Sequence, residues 1–267
     1  MAMEMVGLGA IAAYLGKDGL AKLLGPTADY LGGELKDFAQ KRIENIGKIF
    51  ANASEKIPSE KQDIGAVPPK VLRSILNEGS YSSEGIGIEY FGGILASSKS
   101  EISRDDRGAR LAQKISSLST YQLRAHYVLY SSLITSFKGS EVTLNYDRYK
   151  LAMFISMQSF LYCMDFSKKE FQQIDSIFAH LFSGLEQERL ISKDYAYGKD
   201  GFAKRIYPHI KGDGIIFEPT AAGAELLLWA FGVGNKGYNY IFDVDFLSNI
   251  EGIDTGKLDA RPVSDFK

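Results

Sequence analysis

Cysteine occurs once, at Cys163, and histidine three times, at His126, His180 and His209, in a chain of 267 residues. A single thiol forbids an internal disulfide and any multi-cysteine zinc site, and three scattered histidines leave little material for a metal centre. An excess of positive charge is also missing. Lys and Arg number 31 against 33 Asp and Glu, a net charge of −2, which excludes a uniformly basic nucleic-acid coat. Long apolar runs are lacking too. The longest uncharged stretch of the amino-terminal segment, Met5 to Gly16, falls short of the roughly 20 apolar residues that a bilayer span needs. There is no internal repeat and no low-complexity tract. What remains is 45% hydrophobic and 24% charged residues, enough to bury a core and unlike a disordered chain. This composition is that of a soluble, cytoplasmic protein with no integral transmembrane helix, built as one large domain or two modest ones. No metal and no cofactor is expected.

The amino-terminal segment, residues 1–24, is rich in small residues. Glu4 stands where a secretory signal needs a basic region, so the segment is expected to be retained. Gly9 and Ala13, like Ala12 and Gly16, are four apart and share a helix face. Small residues at that spacing let two helices approach closely. The segment reads either as a helix docked on the core or as one that self-associates or seeks a membrane surface. Gly9, Ala12, Ala13 and Gly16 are the candidate contacts.

Beyond Pro26 the signals are mostly helical. The apolar spacing predicts a helix through Ile49, a polar connector over 52–69, and a short helix from Val71. Ser83, Ser103 and Ser119 read as helix starts, the last opening a helix with Leu123, His126, Tyr127, Tyr130 and Leu133 that Gly139 terminates. Residues 145–164 read as one apolar helix, followed by another capped by Ser167. An aromatic, basic insert follows, then a β-like run at Ile215–Phe217 and a helix capped near Thr220. The order helix, helix, strand, hairpin-like insert, strand, helix is that of a winged helix. Gly232, Gly234 and Gly237 have the spacing of a dinucleotide fingerprint, yet they follow a helix and precede a β-like YNYIFDV. A fingerprint does the reverse, so these glycines read as a helix stop. The fold class expected is mainly α. A helical body at 25–140 is followed by a winged-helix-like region with a short β-hairpin at 141–242, then an acidic, loop-rich tail at 243–267.

Candidates for chemistry are few, and no catalytic residue emerges. His126 and His180 read as core residues, and Cys163, within LYCMDF, as a small buried hydrophobe. Glu101, Arg104, Asp105, Asp106, Arg107 and Arg110 form a dense cluster that a solvated helix start explains without catalysis. The insert from Arg189 to Lys211 carries six basic residues against two acids, a net +4, with tyrosines and a phenylalanine interleaved. Cations for phosphates and aromatics for stacking are a nucleic-acid pattern, while a solvated wing whose aromatics pack inward has the same composition. Arg189, Lys193, Tyr195, Tyr197, Lys199, Lys204, Arg205, Tyr207 and Lys211 are therefore candidates for contact with nucleic acid or a protein partner. The tail over Asp243–Asp259 has five acids against one lysine, a net −4.

Three stretches, GPTADYLGGELKDF, VPPKVLRSILNEGSYSSEGIGIEYFGGILASS and DDRGARLAQKISSLSTYQLRAHYVLYSSL, resemble the bacterial abortive-infection alpha (Abi-alpha) family. Its pattern is a Gly-Pro-initiated amphipathic helix, a Val-Pro-Pro-Lys helix start, an aromatic-rich helix ending in small residues, and a Leu-Ser helix junction. LEQERLI and FEPTAAGAELL are similar to the family's carboxy-terminal part. The resemblance spans about residues 25–232, and its motifs are structural ones that bring no catalytic residue. The insert at 193–213 and the tail after Gly237 are additional to that pattern. The resemblance implies a mostly helical component of bacterial anti-phage defence, a non-enzymatic effector or sensor acting by protein contacts or at a membrane. A winged-helix DNA-binding regulator is the first alternative, and a nuclease or other enzyme the second.

Overall fold

The computed structural model describes residues 33–58, 65–82, 84–102, 104–243, 245, 247 and 249–266, with the backbone alone for 33–39 and 148. Gly9, Ala12, Ala13, Gly16, Ser83 and Ser103 lie outside the described residues. The chain is mainly helical, with a small antiparallel sheet, and divides into two compact units. One holds the described residues up to Ser117 together with Trp229–Asn235; the other holds Leu118–Leu228 and the chain from Lys236.

The first unit contains α1 (Gly33–Lys56), α2 (Pro69–Glu78), α3 (Gly85–Ser97) and α4 (Arg107–Ser117). In α1, Ile46, Ile49, Phe50 and Ala53 are three or four apart and buried on one face. The helix runs on to Lys56, into a stretch whose polarity suggested a connector. No residue before Pro58 breaks the helix, and Lys56 favours its negative carboxy-terminal end. Pro69 starts α2, at a position where its missing N–H costs nothing. Helix α3 is buried almost all round, including Tyr90, Phe91, Ile94 and Leu95. Its glycines set how closely neighbours approach. A Cβ on Gly92 would meet Asn52 Oδ1 at 2.1 Å, and one on Gly93 would meet the Ala230 carbonyl oxygen at 1.7 Å. Asn52 Nδ2 donates to Glu89 Oε2 at 2.7 Å, and Lys56 pairs with the same carboxylate, tying α1 to α3. Trp229 is buried in this unit beneath the Arg107 guanidinium, which lies 5.3 Å from the ring centre.

The second unit is organised around α5 (Thr120–Phe137), which packs on helices and sheet alike. Ser119 and Gln122 form a capping box at its start. Its end at Phe137 precedes Gly139, whose φ of +71° suits glycine. The helix expected over 145–164 is instead a 3₁₀ turn at Arg148–Lys150, strand β1 (Met153–Ser156) and helix α6 (Met157–Met164). Helices α7 (Lys168–Phe171) and α8 (Ile174–Gln187) follow, and Ser167 with Glu170 forms the capping box of α7. Strands β2 (Ala196–Gly198) and β3 (Gly214–Phe217) flank the insert. Helix α9 (Ala221–Ala230) starts with Thr220 Oγ1 accepting from the Gly223 N–H at 3.0 Å.

The antiparallel sheet has the order β2-β3-β1-β4, where β4 is Ala260–Pro262. Met153 faces Phe217 on one side and Pro262 on the other. The tail expected as loop thus supplies an edge strand. Two further differences are local. YNYIFDV forms a 3₁₀ turn at Tyr238–Phe242 that buries Ile241 and Phe242, and the first unit closes at Ser117, so α5 belongs with the second.

Candidate functional site

The insert between β2 and β3 is a folded loop with a closed base. The Asp200 N–H donates to Asp213 Oδ1 at 2.9 Å, and the Gly212 N–H donates to Asp200 Oδ1 at 2.7 Å. Ala203 and Ile210 bury themselves against Phe154 and Ile216, with Phe202 and Tyr207 packed at the margin. Tyr207 Oη also donates to Glu218 at 3.0 Å. Tyr197 stacks on Phe182 with ring centres 4.8 Å apart, and Tyr195 does so at 5.8 Å. The interleaved aromatics are therefore half-buried anchors of the loop. Arg189, Lys193, Lys199, Lys204, Arg205 and Lys211 are exposed. Among the described residues none of these six joins an ion pair. Ile206, between the apolar anchors, is 49% exposed.

Helix α8 precedes this loop. Its sequence, IDSIFAHLFSGLEQ, has Asp175 and Glu186 but no Lys or Arg. Phe178, Leu181, Phe182 and Leu185 face the core, while Ser176, Ala179 and His180 are exposed. Its angle to α5 is held by Gln122. That amide closes the Ser119 capping box with Oε1 and donates from Nε2 to the His180 carbonyl at 3.0 Å. A Cβ at Gly184 would stand 1.8 Å from Gln122 Nε2, so a side chain there would evict the amide. His180, expected as a core residue, instead places Nε2 3.0 Å from Ser119 Oγ at the surface. His126 is fully buried, and its Nε2 must donate to the Gly223 carbonyl at 3.0 Å because a carbonyl only accepts.

A second surface lies where α6 and α7 face the loop at 249–254. An open groove of about 760 Å³ is lined there by Tyr162, Phe166, Phe171, Ile250, Asp165 and Asp254, among others. Tyr162 is 51% and Phe171 47% exposed. No single stretch announces this groove. The one local signal is that Phe160, Cys163 and Met164 form the buried stripe of α6 and leave Tyr162 outside it.

Beneath the groove, the Cys163 Sγ donates to the Asp254 carbonyl at 3.1 Å. Burial, with the Asp254 charge adding, pushes the thiol up to about 11. The thiol favours the fold in its neutral form. That contribution is complete below the ordinary thiol range and is lost as pH rises towards 11. A thiol reagent at pH 8 is expected to leave the native protein unlabelled and to modify one equivalent after denaturation. Native labelling at the rate of a free thiol would contradict this burial.

The acidic and basic cluster at α4 is a solvated helix start. Arg107 forms a two-point pair with Asp105 at 2.8 Å for each bond, and Lys70 reaches Asp106 at 2.8 Å. The Arg107 bonds hold the Asp105 carboxyl below its usual range. Among the described residues no group of three His, Cys, Asp or Glu is placed to hold a metal, and no helix is long and apolar enough to cross a membrane. Comparison with family models, curated proteins and solved structures returns no match.

Proposed function

We propose that the second unit is a winged helix used for protein contacts, in a non-enzymatic effector or sensor of abortive-infection-type anti-phage defence. Its chain order, α5, β1, α6, α7, α8, β2, insert, β3, with β3 between β2 and β1, supports the winged-helix reading. The defence role rests on the resemblance to the Abi-alpha family. The observation favouring a protein partner is the charge of α8. In a helix-turn-helix the corresponding helix enters the major groove between two phosphate rows. Helix α8 brings two acids and no cation to that place, and phosphate contacts supply most of the affinity for DNA.

Phage plating on cells with the gene, without it, and with residues 1–24 deleted tests the reading. Protection by the full gene is expected. Loss of protection on deletion, together with loss of liposome flotation, assigns residues 1–24 to a cytoplasmic membrane surface. Plating without protection overturns the defence role.

The DNA-regulator reading is favoured by the six exposed cations at 189–211. It requires binding whose logarithm falls linearly with the logarithm of salt, by about 0.9 for each phosphate contacted. We expect only weak, sequence-independent binding to duplex DNA that Lys204→Glu with Arg205→Glu abolishes. Tight, sequence-selective binding would displace the protein-contact reading.

A further inference from the structure

We propose that the basic insert of one copy docks into the acidic aromatic groove of a second copy, through Ile206, Lys204 and Arg205, to build a head-to-tail assembly. This deepens the protein-contact reading by naming the partner, and it does not depend on the defence role.

The two surfaces complement each other in charge and in polarity. Asp165 and Asp254 line the groove; Lys257 pairs with Asp254 at 3.7 Å and donates to Tyr162 Oη at 3.1 Å, while Asp165 joins no ion pair among the described residues. Tyr162 and Phe171 leave about half of their surface open there. Exposed Glu251 adds negative charge on the loop that forms one wall. On the insert, Ile206 presents an open aliphatic side chain directly after Lys204 and Arg205, neither of which has an acidic partner among the described residues. Asp165, Glu251 and Asp254 against Lys257 leave the groove net negative, where the insert is net positive. A surface of this kind is attracted to its opposite over a Debye length and repelled by its like.

A single copy pairs Asp254 with Lys257 and leaves the rest of both surfaces open. The loop is folded back by Ala203 and Ile210 and closed by the Asp200 and Asp213 bonds, and Ile206 still points outward. Groove and loop belong to the same unit, and both stay open in it. A second copy offers each surface its complement at once. Because the two surfaces differ, the contact is heterologous, so copies join in rings or open chains.

Sedimentation velocity of the full chain over a concentration series tests this. Association is expected at low salt, with dissociation at about 1 M salt, where the screening length falls to about 3 Å. Lys204→Glu with Arg205→Glu should weaken association about a hundredfold, as should Asp165→Lys with Asp254→Lys, because each set opposes like charges. Mixing the two sets in equal amounts should restore association, since each reversed surface then meets an opposite one. Ile206→Glu alone should weaken association in either background without altering the circular dichroism of the monomer. A wild-type chain that stays monomeric at low salt overturns the proposal. So does association that survives both reversals, or that mixing fails to restore. Phage protection that persists in a strictly monomeric chain would separate the failure of this assembly from the failure of the defence reading.

Discussion

Gly93→Ala is expected to destabilise the first unit more than any other single methyl group added to it. The added Cβ would stand 1.7 Å from the carbonyl oxygen and 2.0 Å from the carbonyl carbon of Ala230. The obstacle is backbone, so no rotamer change relieves it; α3 must move as a body. Tyr90, Ile94 and Leu95 on that helix are fully buried, and moving it disturbs all of them. Overpacking typically costs about 1–3 kcal/mol and more where the backbone must shift. We expect about 3–4 kcal/mol, a large part of the 5–15 kcal/mol that a typical fold has. Trp229 is the only tryptophan and lies buried in the same unit, so its emission reports the packing around it there. Urea titration followed by that emission should show a much lower midpoint, with a red shift already in low urea. Gly79→Ala is the control. There the Cβ would meet the end of the Ile49 side chain at 2.8 Å and the Phe91 ring at 3.2 Å, side chains that can yield where backbone cannot. A Gly93→Ala midpoint no lower than that of Gly79→Ala would show that α3 and Ala230 are not in this close contact.

What was legible in the sequence was chemistry acting over three or four residues. Ser119 and Ser167 cap their helices with Gln122 and Glu170, as the hydroxyl-before-apolar pattern implies, and Pro69 begins α2. Strand β1 was hidden for a physical reason. Met153, Phe154 and Ile155 are buried on both faces, between β3 and β4, so alternation disappears and the run reads like a buried helix. The same difficulty runs the other way at Tyr238–Phe242, where a β-rich composition forms a 3₁₀ turn because Ile241 and Phe242 are drawn into the core. Tertiary burial overrides local preference in both cases.

The candidate surfaces divide along the same line. The positive charge of the insert was visible as composition, and its cations are exposed. The role of its aromatics was not. Tyr195 and Tyr197 find Phe178 and Phe182 on α8, thirteen or more residues back along the chain, and only the fold brings those rings together. The groove was invisible for a stronger reason, since its walls come from residues 158–171 and 249–254. Of its acids, Asp254 belonged to the acidic tail and Asp165 to no cluster. The division also separates stability from function. Apolar residues anchor the insert and cations decorate it, so charge reversal at Lys204 and Arg205 should leave the fold intact while removing what the surface does.

In the second unit the largest single-atom effect is expected from Tyr130→Phe. The Tyr130 hydroxyl is fully buried, donates to the Leu190 carbonyl at 2.8 Å and accepts from the Thr220 N–H at 2.9 Å. It thereby fixes the end of α8 and the start of α9 on α5. Phenylalanine keeps the ring and its packing on Phe217 and His126, so the loss isolates the oxygen. It leaves the buried Leu190 carbonyl and the half-buried Thr220 N–H without this partner, a loss of about 1–3 kcal/mol for a fully buried group. We expect a loss of about 3 kcal/mol, read as a lower denaturation midpoint by circular dichroism at 222 nm. The alkaline limb supplies an independent check. Burial pushes this phenol up to about 12, with the Thr220 hydrogen bonds opposing. A raised acid favours the fold in its neutral form, so its stabilisation is complete below the ordinary tyrosine range and fades as pH rises towards 12. Wild type should therefore lose stability steeply above about pH 10, the ordinary phenol value. Tyr130→Phe, already lower at neutral pH, should lose it less steeply over that interval. Parallel alkaline profiles for the two proteins would mean that the Tyr130 hydroxyl reaches solvent.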